Sequence, residues 1–172
     1  MAGPDRIQAQ LFLVMNISIR KITPGDLSEI ISMLREFAEF EKLTEFCTVT
    51  EERLFDAMFG TDSHVDGLIV FDGVAPAAYA IFFPGFSSFK GERGMYLEDV
   101  YVRTGYRGKG IGEKLLKEVA RIAAARHCER IDFQVLAWNQ PAIGFYEKLG
   151  AVRNDDVRYF KFADDAFRSL AS

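Results

Sequence analysis

Apolar residues follow two different periods along the chain, and these periods predict its secondary structure. Alternation of apolar and polar residues is typical of strands, whereas apolar residues three and four apart mark one face of a helix. Strands are predicted at residues 17–22, on both sides of an Asp-Gly turn within 67–84, and at 95–102, 131–137 and 157–162. Helices are predicted at residues 27–40, 48–59, 111–128 and 139–150. Hairpins and crossovers both occur in this order, so we expect an α/β (α+β) fold with a mixed sheet covered by helices.

The chain length of 172 residues fits one domain. We expect residues 1–15 to be an N-terminal extension and residues 16–172 to form the domain, because "MNISIRK" already reads like a start. The apolar stretch at 11–15 is too short to cross a bilayer and has no small-residue cleavage site, so neither a membrane anchor nor a signal peptide is predicted. Residues 86–94 are predicted to form a loop.

Charge and composition narrow the function classes. The formal net charge is −4, which gives no basic field for nucleic acid. Cys47 and Cys128 are far apart, and His64 and His127 lie in no cluster of metal ligands, so no metal site is expected. Two reduced thiols are typical of a cytoplasmic protein.

A glycine-rich stretch, "GYRGKGIG", separates the strand at 95–102 from the helix that follows it. Glycines at 108, 110 and 112 let the backbone of a helix N-terminus approach an anion, and Arg107 and Lys109 add positive charge. The spacing matches neither the Rossmann pattern nor the P-loop pattern. The alternative is a flexible turn, but three glycines there are costly unless the backbone is needed. We therefore predict a phosphate-binding loop.

Three sequence stretches together resemble the GNAT acetyltransferases, in particular their spermidine/spermine and thialysine N-acetyltransferase branch. They are "YLEDVYV", the glycine loop in "VYVRTGYRGKGIGEKLL", and "VLAWNQPAIGFYEKLGA". The resemblance implies the GNAT fold, with a mixed central sheet of six to seven strands flanked by about four helices. It also implies acetyl-CoA as co-substrate without a metal, and a homodimer.

By this resemblance, coenzyme A is held by the backbone of the strand, the glycine loop and the last predicted helix. The residues implied are Val100, Tyr101, Val102, Arg107, Gly108, Lys109, Gly110, Ile111, Gly112, Glu113, Asn139, Ala142 and Tyr146. Tyr146 would be the general acid that protonates the leaving thiolate; the alternative is a core tyrosine. Asn139 would also cap its helix.

The acceptor is expected to be a primary amine, which at neutral pH is only about one part in a thousand uncharged. A carboxylate acting directly or through water is the natural base, and the resemblance favours Glu98. Glu98 and Asp99 are adjacent in a strand, so both can face the site only through a β-bulge, which GNAT proteins have in this strand. The alternative is that these carboxylates lie on a strand edge and are solvated.

The resemblance also implies acceptor contacts from Phe40 and Glu41, with Glu41 holding a second positive charge on the substrate. The alternative is that Glu41 lies on an exposed face of the helix and has no functional contact. Trp138 either lines the channel through which the acceptor amine enters or packs against other side chains. An Asp and a Trp that the polyamine branch has before "YLED" are not matched in "FSSFKGERG". This departure favours shorter diamines or thialysine-like amino acids over long polyamines.

Three functions remain open from the sequence. The leading hypothesis is acetyl-CoA-dependent acetylation of a small diamine, polyamine or thialysine-like amino acid. The second is acetylation of a protein or peptide on the same scaffold. The third is a coenzyme A-binding regulatory module without turnover, although the presence of both Tyr146 and Glu98 argues against it.

Overall fold

The computed structural model describes residues 15–172, and the predicted extension lies outside them except for Met15. Five strands form one sheet in the order β1-β2-β3-β4-β5. They are β1 (Ile17–Lys21), β2 (Asp66–Asp72), β3 (Ala75–Ser87), β4 (Glu92–Val102) and β5 (Arg130–Asp132). The first four are antiparallel neighbours, and β5 is parallel to β4, so the sheet is mixed as predicted.

The described residues contain five α-helices, one more than expected. They are α1 (Leu27–Phe40), α2 (Glu51–Phe59), α3 (Ile111–Ala125), α4 (Gln140–Lys148) and α5 (Asp164–Ala171). The chain divides into two compact units, the first ending at Phe133 and the second covering Gln134–Ser172. The sheet and the first three helices belong to the first unit, and α4 and α5 belong to the second.

Two apolar cores cover the two faces of the sheet, because side chains alternate along each strand. The α3 core joins alternate residues of the central strands to α3; its members include Leu68, Val70, Ala78, Ala80, Phe82, Leu115 and Val119. The α1–α2 core joins the intervening residues to the other two helices; its members include Ile30, Met33, Leu54, Met58, Ile69, Tyr79 and Ile81. The sheet is therefore covered on both faces.

The strand prediction was wrong in three places. Residues 86–94 are not a loop, because β3 and β4 continue as a hairpin with a turn at 88–91. The strand at 131–137 is shorter than predicted, because it pairs only with Gly94–Tyr96 of β4. Residues 157–162 form no strand; they alternate in polarity but are exposed, and no strand among the described residues pairs with them. The sheet accordingly has five strands instead of six or seven.

Candidate active site

A β-bulge interrupts the pairing of β3 with β4 at the adjacent acidic residues. Asp99 lies opposite Ile81 on β3. The next residue of β3, Phe82, lies opposite Leu97, so Glu98 is the extra residue. The bulge implied by the resemblance is therefore present.

The bulge decides which face of the sheet Asp99 occupies. An extra residue reverses the alternation of side chains along a strand. Before the bulge, Met95 and Leu97 belong to the α3 core. After it, Tyr101 belongs to the α1–α2 core, and Asp99, two residues earlier, lies on the same face. Strict alternation from Leu97 would have put Asp99 on the α3 side.

Asp99 lies in an apolar and acidic environment. The hydroxyl of Tyr79, a fully buried residue, is 3.5 Å from Oδ2 of Asp99, a long hydrogen bond. Burial, followed by the negative charges of Glu98 and Glu41, raises the pKa of Asp99 from 3.8 to about 7. Burial also raises the pKa of Glu41. Asp99 is thus within electrostatic reach of its neighbour Glu98 and of Glu41, the C-cap of α1, and a cation beside it would favour its ionised form.

An ion-pair network that the sequence analysis missed ties α1 to β4. The guanidinium of Arg103 donates to both carboxylate oxygens of Glu36, with distances of 2.7 to 3.1 Å. The Tyr101 hydroxyl donates to the same carboxylate at 3.3 Å. Arg103 also donates to the Pro76 carbonyl at 2.8 Å. The contacts with Glu36 join residues more than sixty positions apart, so no local pattern could predict them.

Arg107 is turned towards the end of α1. Its guanidinium carbon lies 4.4 Å from the ring centroid of Phe40 and 5.6 Å from that of Tyr101. Its Nε donates to the carbonyl of Val102 at 2.8 Å. Arg107 therefore links the glycine loop to the segment that carries Glu41, and its contact with a pyrophosphate stays a prediction.

The glycine loop leads into α3 with the backbone geometry that only glycine adopts readily. Gly108 and Gly110 have φ values of +72° and +77°. Apart from the glycine itself and its two neighbours in the chain, no atom of the described residues lies within 4 Å of the point where a Cβ would be at either residue. Gly110 is the N-cap of α3 and supplies no side-chain cap. The first-turn amides, including those of Ile111 and Gly112, have no acceptor within the helix and lie at the positive end of its dipole.

Beside this loop, β4 has an open edge. Only Gly94–Tyr96 pair with β5. Within residues 15–172, no strand pairs with Val100–Val102 on the edge of β4 that does not face β3. An extended ligand can therefore add there as a strand, although the Val102 carbonyl already accepts the Arg107 bond.

The remaining predicted site residues lie in the second unit. Asn139 is buried, and its Oδ1 accepts a hydrogen bond from the backbone of Ala142 at 3.2 Å, so its predicted role as helix cap is confirmed. Tyr146 is partly buried on α4, with its ring 5.2 Å from that of Phe145. Trp138 is half exposed.

Helix α4 ends at Lys148, two residues before the predicted limit. Gly150 has a φ of +93°, and the amides of Gly150 and Ala151 donate to the carbonyls of Glu147 and Tyr146. This is the hydrogen-bond pattern of a Schellman motif, which needs glycine at its left-handed position.

The part of the chain that the structure describes has neither a membrane-spanning helix nor a cluster of metal ligands. None of its helices has the length and apolar character needed to span a bilayer. None of its groups of His, Cys, Asp and Glu residues has three members placed to hold a metal ion.

The sequence matches the model of the family described as "Acetyltransferase (GNAT) family" over residues 28–151. The chain belongs to the GNAT acetyltransferase family. It is therefore an acyltransferase of this family, and GNAT acetyltransferases use acetyl-CoA. The matched region contains the bulge, the glycine loop and α4.

Curated relatives of this GNAT protein include enzymes named for small amines. A thialysine N-epsilon-acetyltransferase from Bos taurus is 35% identical over 166 residues, covering 90% of this chain and 97% of the relative. An L-ornithine N5-acetyltransferase, NATA1, from Arabidopsis thaliana is 27% identical, and the alignment covers 88% of this chain and 86% of the relative.

Among solved structures, an integron cassette protein, VCH_CASS6, from the mobile metagenome of V. cholerae superposes with a TM-score of 0.77. The two sequences are 24% identical, and the superposition covers 91% of this chain and 98% of the integron cassette protein. At this identity the likeness shows that the fold is shared.

Proposed function

We propose that this GNAT protein transfers the acetyl group of acetyl-CoA directly to the primary amine of a small diamine, polyamine or thialysine-like amino acid. The observation that carries the proposal is the acidic group at the bulge, where Asp99 lies on the α1–α2 face beside Tyr79 and within electrostatic reach of Glu98 and Glu41. A cationic small molecule is the ligand that such a group favours.

Three features of the first unit fit coenzyme A. The glycine loop has open space where side chains would otherwise be, which suits a pyrophosphate. The α3 N-terminus has no side-chain cap and offers amides to the phosphate oxygens. The free edge of β4 suits the pantetheine amides. The contacts with Gly108, Lys109, Ile111, Gly112 and Glu113 are part of this proposal.

The carboxyls hold and then deprotonate the acceptor. Asp99 and Glu41 pair with the incoming ammonium, and Glu98, the extra residue of the bulge, takes the proton directly or through one water. Acetyl-CoA, when bound, supplies the thioester whose C–S bond breaks as the amine nitrogen forms the amide bond. Tyr146 donates its phenolic proton to the departing sulfur and is reprotonated from solvent. Asn139 contacts coenzyme A through the atoms not used in its cap.

The choice of acceptor rests on the relatives and on charge. The relatives are named for thialysine and ornithine, which both carry a side-chain amine and a second amine. A second cation on the acceptor matches the surplus of carboxylates at the end of α1.

We also propose a homodimer in a reducing, cytoplasmic setting. Large apolar side chains are exposed in the second unit, among them Phe160, Phe162 and Phe167, and a second copy would cover them. Both cysteines are free thiols, which fits a reducing compartment. Light scattering of the full chain at several concentrations tests the dimer.

The function is tested by following thiol release from acetyl-CoA with a panel of acceptors. The panel contains diamines, polyamines, thialysine, lysine, ornithine and a lysine-containing peptide. Turnover with small amines and little with the peptide is expected. Turnover with the peptide alone would replace the proposal by protein acetylation, and binding of acetyl-CoA without any turnover would leave a regulatory module.

A further inference from the structure

Arg103, the residue that follows β4, lies along one face of α1. Its Nη2 is 2.7 Å from Oε1 of Glu36 and 3.6 Å from Oε2 of Glu29, two residues that are seven positions apart and so share a helix face. Its own backbone is fixed, because its amide donates to the Ala77 carbonyl at 3.0 Å. Its Nη1 donates to the Pro76 carbonyl at 2.8 Å. Arg103 therefore joins α1 to the start of β3 as well as to β4.

We propose that Arg103 is a positioning residue for the acceptor site: by holding Glu36, it fixes the last turn of α1, which ends at Glu41, relative to the bulge. This inference rests on the proposed function and adds a residue that acts on acceptor binding without touching the acceptor. Arg103 has no predicted contact with either substrate.

Contacts lead from Glu36 to Asp99 through two tyrosines. The Tyr101 hydroxyl donates to Oε2 of Glu36 at 3.3 Å. The ring of Tyr101 lies 6.1 Å from that of Tyr79, and the Tyr79 hydroxyl is 3.5 Å from Oδ2 of Asp99. Both rings are buried in the α1–α2 core. Because a close-packed core transmits small shifts, a displacement of Tyr101 reaches Asp99.

A second set of contacts leads from Glu36 to Glu41 along α1. Phe37, the residue after Glu36, has its ring 5.4 Å from that of Tyr101. The carbonyl of Phe37 accepts the amide of Glu41 at 2.9 Å, so the helical hydrogen bonds continue to this residue. Glu41 in turn lies close enough to Asp99 for its negative charge to raise the pKa of Asp99. Tyr101 thus contacts α1 through both its hydroxyl and its ring.

The Arg103–Glu36 pair is suited to fix a position more than to add stability. The side chains of Arg103 and Glu36 are 23% and 37% exposed, and ion pairs with this exposure contribute little to the free energy of unfolding. Their geometry is restrictive, however, because Nε and Nη2 of one planar guanidinium both donate to the carboxylate. Loss of the pair should therefore be seen mainly in acceptor binding.

Arg107 contacts the same end of α1, but it cannot serve as the test residue. Its guanidinium carbon lies 4.4 Å from the ring centroid of Phe40 and 5.6 Å from that of Tyr101. Arg107 is also predicted to bind coenzyme A, so a change there would affect both substrates. A change at Arg103 separates the position of α1 from the binding of the cofactor.

The test compares the wild type with Arg103→Gln, Glu36→Gln and the double variant, with thialysine and putrescine as acceptors. Each single variant should raise the acceptor KM by about 2- to 30-fold, with an unchanged acetyl-CoA Kd in calorimetry. The double variant should be no worse than the stronger single variant, because both remove the same contact. Arg103→Lys keeps the charge without the two-bond geometry, so its acceptor KM should lie between those of the wild type and Arg103→Gln.

Arg20→Gln is the matched control. Arg20 makes a similar two-bond contact with Asp26, at 2.6 and 2.7 Å, at the opposite end of α1. This variant should leave the acceptor KM unchanged even where it lowers the urea midpoint. A variant that only loses folded protein has a lower kcat with both KM values unchanged, which distinguishes a purely structural role.

Three results overturn the positioning role while the proposed function stands. They are an unchanged acceptor KM in Arg103→Gln and Glu36→Gln, an equal rise in Arg20→Gln, and a double variant whose effect is the product of the two single effects. If Arg103→Gln does not fold, Glu36→Gln decides by the same two constants. If only the peptide is acetylated, the proposed function fails, and the same variants measured with the peptide decide the positioning role separately. Absence of any turnover overturns both.

Discussion

Replacing Asp99 by asparagine tests whether its carboxyl group is held in an unfavourable environment. Asparagine keeps the shape of the side chain but cannot ionise. In the wild type, burial and the charges of Glu98 and Glu41 raise the pKa of Asp99 to about 7. Ionising this group in the folded protein therefore costs free energy, and Asp99→Asn removes that cost.

The sign of the effect follows from the two pKa values. Because the folded value lies above the ordinary value of 3.8, the carboxyl contributes stability that is complete in acid and is lost as pH rises through 7. For a group that titrates at 3.8 unfolded and at about 7 folded, the loss between pH 5 and pH 8 is about 3 kcal/mol, from about 1.4 kcal/mol per pH unit over the part of this interval below 7. Between pH 5 and pH 8, the free energy of unfolding of Asp99→Asn should therefore rise by this amount relative to that of the wild type.

Urea unfolding of both proteins at several pH values between 5 and 8 measures the gap in the free energy of unfolding. Asp62→Asn, which changes an exposed aspartate after α2, is the control and should give a profile parallel to that of the wild type. Parallel profiles for Asp99→Asn and the wild type would refute the assignment of a raised pKa to Asp99.

The same substitution has a second consequence for the acceptor. An ammonium group beside Asp99 favours the ionised carboxyl, so the acceptor should bind more tightly as pH rises through about 7. In Asp99→Asn the KM for the acceptor should rise by about tenfold or more and lose this pH dependence, since a charge-assisted hydrogen bond is removed. Acetyl-CoA affinity, measured by calorimetry, should change little.

Three further substitutions probe the other parts of the proposed site. Gly110→Val should abolish the stabilisation by acetyl-CoA, about 2.7 kcal/mol at a hundredfold excess over Kd, whereas Gly73→Val, also at positive φ with open space around it, should keep it in the same thermal-shift assay. Tyr146→Phe should lower kcat by about 10²- to 10⁴-fold without weakening acetyl-CoA binding, and wild-type kcat would return Tyr146 to a packing role. Glu41→Gln should raise the acceptor KM in steady-state kinetics and leave the acetyl-CoA KM unchanged; an equal rise in both would contradict its place at the acceptor.

Local sequence was sufficient wherever a short stretch carries its own hydrogen bonds or its own apolar face. Apolar residues three and four apart defined α1 with the boundaries observed. Asp72-Gly73 defined the β2–β3 hairpin, with Gly73 at a φ of +60°. Asn139 and Gly150 defined the ends of α4 through bonds to neighbours in sequence. The glycine loop was found in the same way, since its backbone geometry is local.

The tertiary structure decided what depends on distant partners. Alternation alone could not show that Glu98 is the extra residue of a bulge, and so could not put Asp99 beside Tyr79. The contact of Arg103 with Glu36 also joins elements far apart in sequence. A strand needs a neighbour for its hydrogen bonds, which is why the alternating residues 157–162 form none. The sequence determined which chemical groups are present, and the pairing of β3 with β4 determined which of them share one face.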